Sequence, residues 1–590
     1  MKRLVAGSMM GALMGAVLLA APTDAEACGG FFCDGGPQPM PVDQTGEDIL
    51  FVMDEGQVEV HIRVEYEGEA ENFAWIIPAL SVPTDFNVGS QAFFDAIKQA
   101  SVPTYGISNQ PDDCSLDDAE GFGTGAADPG SDGLTGGDGG SDSDGGEGPV
   151  VLAQEQVGAY EITVIGEGEG GDLTAQQVFD WLAENDYQQD EAALPIIEEY
   201  LAEDHNFIAI KLTGGADVDE LHPIALRFDH PEPCVPLRLT RIAAVDDMDV
   251  RTYFLANERV VPSTYRHVLV NPLKIDWPNQ AANYKEVITK AVDSDAAEGR
   301  AFVTEYAGPS DIVQTWSIHQ AQWDADAFEG LAPELVVDTL QGQGLFACGW
   351  DPTTGEEGCF GQHPLIETLL VDFVVPEGVE PRDFYFDPAA YADQIDLERW
   401  ADGVTFAARL GERVIEPGRN AVELLESHDV LSRLYTTISP SEMTKDPMFH
   451  MNADLEDVPN VRTATNRQLC NGDSLWTLPD GRQVYVPSGA DWPNIGGDEF
   501  WEEEVDEVPD AGPPMMLVNN TAEINAALRS YNADAGWNGE APEPGANVDD
   551  GPQPGVDGGC GCTTSGDGTG VLWSTGFLFG LVGLRRRKRR

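Results

Sequence analysis

The sequence predicts an α+β fold: mostly antiparallel sheet with packed helices, in two subdomains divided by a Gly/Asp-rich insertion. Three observations carry that prediction. Val58, Val60, Ile62 and Val64 alternate with Glu59, His61, Arg63 and Glu65, the period of a strand with one buried face. Residues 90–100 instead place Phe93, Ala96, Ile97 and Ala100 on one side of a helix. Residues 224–228, 235–242 and 250–256 follow one another as a β-rich run.

The elements follow in order. Residues 49–53 and 57–66 read as strands, and Asp54-Glu55-Gly56 between them is turn chemistry, so they form a hairpin. Residues 73–77 make a third strand, stopped by Pro78. Residues 112–149 are mostly Gly, Asp and Ser, with almost nothing large to bury. They cannot offset their ordering entropy and read as a disordered insertion. Beyond it, residues 160–165 are strand-like. Thr174-Ala175-Gln176-Gln177 is a capping box opening a helix that turns Val178, Phe179 and Leu182 inward. A helix over 190–202 carries Ile196, Ile197, Tyr200 and Leu201, and a strand over 207–212 follows. Later come a helix at 283–293, a strand at 301–306, a helix at 397–410, a strand at 430–437 and a short helix at 521–529. Residues 539–558 are rich in Pro, Gly and Asp and read as a flexible stalk.

The two ends frame this body. Lys2-Arg3, an uncharged apolar stretch over 4–21 and Ala25-Glu26-Ala27 have the form of a secretory signal peptide, 1–27, cleaved between Ala27 and Cys28. A lipidated Cys28 is the alternative, although Glu26 and Ala25 fit a lipobox badly. At the other end, over 559–590, Gly559-Cys560-Gly561-Cys562 precedes an apolar run at 571–584 and six basic residues at 585–590. That run is shorter than the roughly 20 residues of a comfortable helical span, so it reads as a processed tail. Its basic end stays on the cytoplasmic side. The folded parts between are 28–111 and 150–538.

Composition narrows the partners. With 32 Lys+Arg against 103 Asp+Glu the formal charge is −71, which repels nucleic-acid phosphate and anionic lipid. Outside the tail stand Cys28, Cys33, Cys114, Cys234, Cys348, Cys359 and Cys470. Export permits disulfides, and Cys28–Cys33 and Cys348–Cys359 are the short-range candidates. An odd number leaves one thiol free, modified or paired between chains. No C-x-x-C pair offers metal spacing, and no metal site is assigned.

Chemistry-bearing motifs are missing. There is no G-x-S-x-G, H-E-x-x-H, Walker loop or dinucleotide fingerprint, so no catalytic residue is assigned. His222 and His230, with Asp229, each precede a proline and read as turn-flanking surface residues. Asp446 and His450 could form a buried pair, but without a nucleophile motif they make no triad. The acidic 166–171 glycine run is a turn. Asp142-Ser143-Asp144-Gly145 fails the EF-hand pattern, and Glu502-Glu503-Glu504 with Asp498 and Glu499 reads as a solvated acidic face, leaving calcium as the one cofactor kept open. Trp75 and Trp181 read as core.

Several landmarks are shared with known families. Ala27-Cys28-Gly29-Gly30-Phe31-Phe32-Cys33, Pro41-Val42-Asp43-Gln44-Thr45-Gly46-Glu47 and Phe73-Ala74-Trp75-Ile76-Ile77-Pro78 resemble the bacterial domain-of-unknown-function family 2330. So do Pro236-Leu237-Arg238-Leu239-Thr240, Phe302-Val303-Thr304-Glu305-Tyr306, Arg433-Leu434-Tyr435-Thr436-Thr437 and Asp446-Pro447-Met448-Phe449, which extends the resemblance to about residue 461. That family implies no activity and no catalytic residues. The order of Cys560 and Cys562, apolar run and Arg cluster resembles the MYXO-CTERM sorting signal, which implies cleavage and lipid attachment at one of those cysteines by a sorting protease. The resulting expectation is an exported protein on the cell surface, attached to the outer membrane after processing. It would act as a non-enzymatic interaction or structural module. An extracellular hydrolase with converging carboxylates and a calcium-dependent adhesin are the alternatives.

Overall fold

The computed structural model describes residues 44–537 except 55, 64–73, 112–148, 168–172, 186, 188–190, 214–220, 231–232, 243 and 352–355. The expected signal peptide, Ala27, Cys28 and Cys33, nearly all of the insertion, the stalk and the tail with Cys560, Cys562 and the apolar run lie outside the described residues. Among the described residues no helix is long and apolar enough to cross a membrane.

The fold is α+β with antiparallel-rich sheets. The elements that build the site are β1 (Gln44–Asp54), β2 (Gln57–Ile62), β3 (Ala74–Ala79), β4 (Asp85–Val88), α1 (Gln91–Ser101), β5 (Thr104–Pro111), β6 (Val150–Val157), β7 (Tyr160–Gly166), α2 (Ala175–Glu184), α3 (Leu194–Leu201), β8 (Asn206–Leu212), β9 (Ile224–Phe228), α4 (Leu237–Thr240) and β10 (Ala244–Ala256). The predicted hairpin closes with Asp54 opposite Gln57. Ten strands make the largest sheet: Met515–Asn519, Glu502–Glu507, Arg266–Val270, Ala301–Pro309, Val430–Ile438, then β10, β1, β2, β9 and β4. β1 runs parallel to β10, while β1–β2, β2–β9 and β10 with Val430–Ile438 are antiparallel.

A second sheet, β3-β8-β7-β6, is antiparallel throughout. Alternation along its strands decides its two faces. Trp75, Tyr160, Ile162, Val164, Ile208 and Ile210 pack against Ile62, Ile224 and Leu226 of the large sheet. Ile76, Ile165, Phe207 and Ala209 on the other face meet Val178 and Leu182 of α2 and Ile196, Ile197 and Tyr200 of α3. The α2 capping box forms as expected, with Thr174 and Gln177 satisfying each other's backbone N–H. Phe179 and Trp181, however, are only half-buried.

Five expectations are corrected. The polar face of β2 is not solvated: His61 and Arg63 are 5% and 7% exposed, because α1 and the helix Glu416–Ser427 cover that side of the sheet. β3 continues through Pro78, opposite Phe207, because β3 is the edge strand of its sheet and needs no N–H on its outer side. The strand expected at 235–242 contains the single turn α4, which lets Leu237 enter one core and Leu239 another. The helix expected at 397–410 breaks where Ala401, Asp402 and Gly403 take left-handed φ of 47°, 55° and 73°. A Cβ on Gly403 would fall 2.1 Å from the Phe328 carbonyl oxygen, so the break needs glycine there. Finally, the insertion does not divide two subdomains. β1, β2 and β4 before it share a sheet with β9 and β10 after it, and β5 pairs with Val461–Gln468.

Candidate functional site

Strands β2 and β9 put different chemistry on their two faces, and a pocket lies against each. Val58, Val60 and Ile62 of β2 and Leu226 and Phe228 of β9 face one way, toward a cavity of about 100 Å³ as traced by the centre of a water molecule. Glu59 and His61, with Ala225 and Arg227, face the other way, toward a second pocket of about 390 Å³.

The first cavity is apolar over most of its length. Trp75, Ile77 and Pro78 of β3 close it opposite β2. At one end Tyr200, His205, Cys234 and Asp446 meet. Two distant segments build that end. Val235 N–H donates to the Pro447 carbonyl at 3.1 Å and Phe449 N–H to the Pro233 carbonyl at 3.2 Å, clamping 233–240 against 446–449. Asp446 accepts from the Arg238 backbone N–H and from its Nε, both at 2.9 Å. The same guanidinium donates to Glu203 at 3.0 and 2.6 Å and lies 4.1 Å over the Tyr200 ring. The charges at this end are thus held in one Arg-centred network.

Burial governs how the groups at this end titrate, and it raises the Asp446 carboxyl against the pull of Arg238. Burial pushes the Cys234 thiol well up, and the Asp446 charge adds to it, so the sulfur stays protonated. Burial pushes His205 down, leaving it neutral. Burial, with the Asp446 charge, also drives the Tyr200 phenol well up. The arrangement can hold an apolar ligand with its far end against these buried polar groups.

The second pocket has a charged floor and an exposed rim of Asn87, Asn420 and Glu423. Burial alone would raise the Glu59 carboxyl. Hydrogen bonds and charge from His61 (2.8 Å) and Arg227 (3.0 Å) outweigh it and hold the group at about 2.

The residues singled out in the sequence fall apart in space. His222 is buried, not on the surface: its Nε2 accepts from Ala159 N–H at 3.2 Å and its Nδ1 donates to the Pro223 carbonyl at 2.8 Å. Burial, helped by Arg413, pushes it down to about 3, so it is a neutral brace. His230 lines the apolar cavity, while Asp229 accepts from Gln57. Asp446 pairs with Arg238 instead of His450, which sits on the strand Phe449–Met451. Of the acidic run Asp498 and Glu499 are exposed as expected, but Glu503 is buried against Arg482. Among the described residues no group of three or more His, Cys, Asp and Glu could hold a metal ion. Cys348 and Cys359 form a disulfide, at facing positions of Phe346–Asp351 and Glu356–Gly361. Cys470 is also disulfide-bonded, and Cys234 is free.

Residues 22–325 match an uncharacterized protein family conserved in bacteria, DUF2330. The chain belongs to that family. No curated protein and no solved structure matches it. The DUF2330 match ends well before Arg433–Thr437 and Asp446–Phe449, where the sequence had suggested a longer resemblance. Yet the matched region depends on both. The strand Val430–Ile438 lies between β10 and Ala301–Pro309, and Asp446 is the buried partner of Arg238. Sequence reasoning missed Tyr200, Cys234, Arg238 and Glu59 as site residues. The signal was that Tyr200, Arg238 and Asp446 all fell in stretches that resemble the family.

Proposed function

We propose that this protein is exported, is held at the cell envelope through its processed C-terminal tail, and there binds a ligand with an aliphatic chain. The observation that carries the ligand reading is the mostly apolar cavity between β2, β9 and β3, whose one charged lining group, Asp446, is paired with Arg238. The location rests on the tail alone: Cys560 and Cys562 before a short apolar run and an Arg cluster resemble a MYXO-CTERM signal.

A hydrolase remains the second reading because Glu59 and Glu423 line one pocket. Glu59 is a poor general acid, however, since its neighbours hold it ionised down to about 2. Binding is tested by titrating the purified full chain with a polarity-sensitive aliphatic fluorophore. Saturable binding that Val60→Trp abolishes, without loss of the folded circular-dichroism spectrum, supports the cavity. Equal binding by that variant rejects it. Location is tested by the double variant Cys560→Ser, Cys562→Ser. It should accumulate as an unprocessed inner-membrane form, and normal processing and display would refute the sorting assignment.

A further inference from the structure

The polar end of the apolar cavity restricts the head of the ligand as well as its chain. Building on the aliphatic-ligand reading, we propose that the head is neutral and accepts a hydrogen bond, as an ester or alcohol does, and that a free carboxylate is rejected.

The first argument is charge. Asp446 lines the cavity and shares the guanidinium of Arg238 with the half-exposed Glu203, so Arg238 has no charge to spare for an anionic head. No Lys or Arg lines the cavity to receive an anionic head. His205, edge-on to the Tyr200 ring, is kept neutral by burial. A carboxylate would therefore enter a desolvated end beside Asp446, against like charge and without a counter-ion.

The second argument is a weakly engaged donor. Tyr200 is 1% exposed and lines this end. Its Oη stands at the Asp446 carboxylate but is held there only by a poorly aligned hydrogen bond. A well-placed neutral acceptor on the ligand would give that buried hydroxyl a better-aligned hydrogen bond. The Cys234 thiol beside it, also protonated, adds a second weak donor. The end thus presents donors and repels anions, which together define a neutral accepting head.

The test displaces the aliphatic fluorophore from the full chain with a straight-chain carboxylic acid and with its methyl ester, equal in chain length, at neutral pH. The ester should compete at a concentration about tenfold lower or more. Tyr200→Phe should weaken the ester while leaving an unfunctionalised alkane competitor unchanged, and Asp446→Asn should narrow the gap between acid and ester. Should Asp446→Asn fail to fold, Glu203→Gln serves for the same reading. If the acid competes as well as the ester, the head assignment falls while the cavity reading stands. If the fluorophore itself does not bind, the cavity reading falls first.

Discussion

The two pockets on β2 and β9 stand back to back on the same strands, one apolar and one polar, and they use charge in opposite ways. On the apolar side the ion pair is sealed at the end of the cavity: Asp446 and Arg238 have side chains 6% and 10% exposed. On the polar side Glu59 is partly buried but Arg227 is 39% exposed, and the pocket opens to a rim of polar side chains. A sealed pair supports shape and selectivity. An open pair holds one carboxylate ionised without committing the surrounding structure to it.

That contrast sets the size of four expected effects. The largest comes from Arg238→Ala, which strands a buried Asp446 charge and should cost about 3–5 kcal/mol of stability by denaturant unfolding. The matched Arg227→Ala, at a pair open to solvent on the arginine side and with His61 still beside Glu59, should cost about 1 kcal/mol or less. Equal losses would erase the distinction between the pockets.

Next is the brace behind the apolar cavity. Gly158 has φ +57°, and a Cβ there would lie 2.2 Å from His222 Nε2. Gly158→Ala should therefore cost about 2–4 kcal/mol through backbone strain and a displaced His222, read as a lowered midpoint of thermal unfolding. A neutral result would show that His222 does not set the loop.

The third prediction concerns acid and the polar side. Glu59→Gln should cost about 1–3 kcal/mol at neutral pH. The folded group titrates at about 2, against 4.5 for its ordinary value. Its contribution is therefore complete above about 4.5 and is lost as pH falls toward 2, because the unfolded chain takes up the proton first. The difference between wild type and variant, followed by denaturant unfolding across that window, should shrink toward zero at the acid end. A constant difference would mean that Glu59 acts by packing alone.

The smallest effect is a filled cavity. Val60→Phe extends a half-buried side chain into open space and should change stability by less than about 1 kcal/mol. Val164→Phe, in the dry layer between the sheets, should cost about 1–3 kcal/mol. A similar penalty for both would argue that the cavity side is close-packed.

Local patterns in the sequence by themselves determined the α+β class, the β1–β2 hairpin, the Thr174 capping box and the alternation that writes two chemistries onto β2. Each depends on side chains a few residues apart, where the period of a strand or the reach of a cap decides the outcome. The sequence also placed Cys348 and Cys359 close enough to join. Tertiary structure decided the rest. Whether Pro78 ends a strand depends on its edge position, and whether His61 meets water depends on α1 and Glu416–Ser427 packing over it. The site itself is of this second kind. Asp446 and Arg238 are 208 residues apart, and nothing local to either shows that burial will force them together. Desolvation is a property of the assembled layers, so the partner of a charge and the emptiness of a cavity emerge only once the sheets have packed.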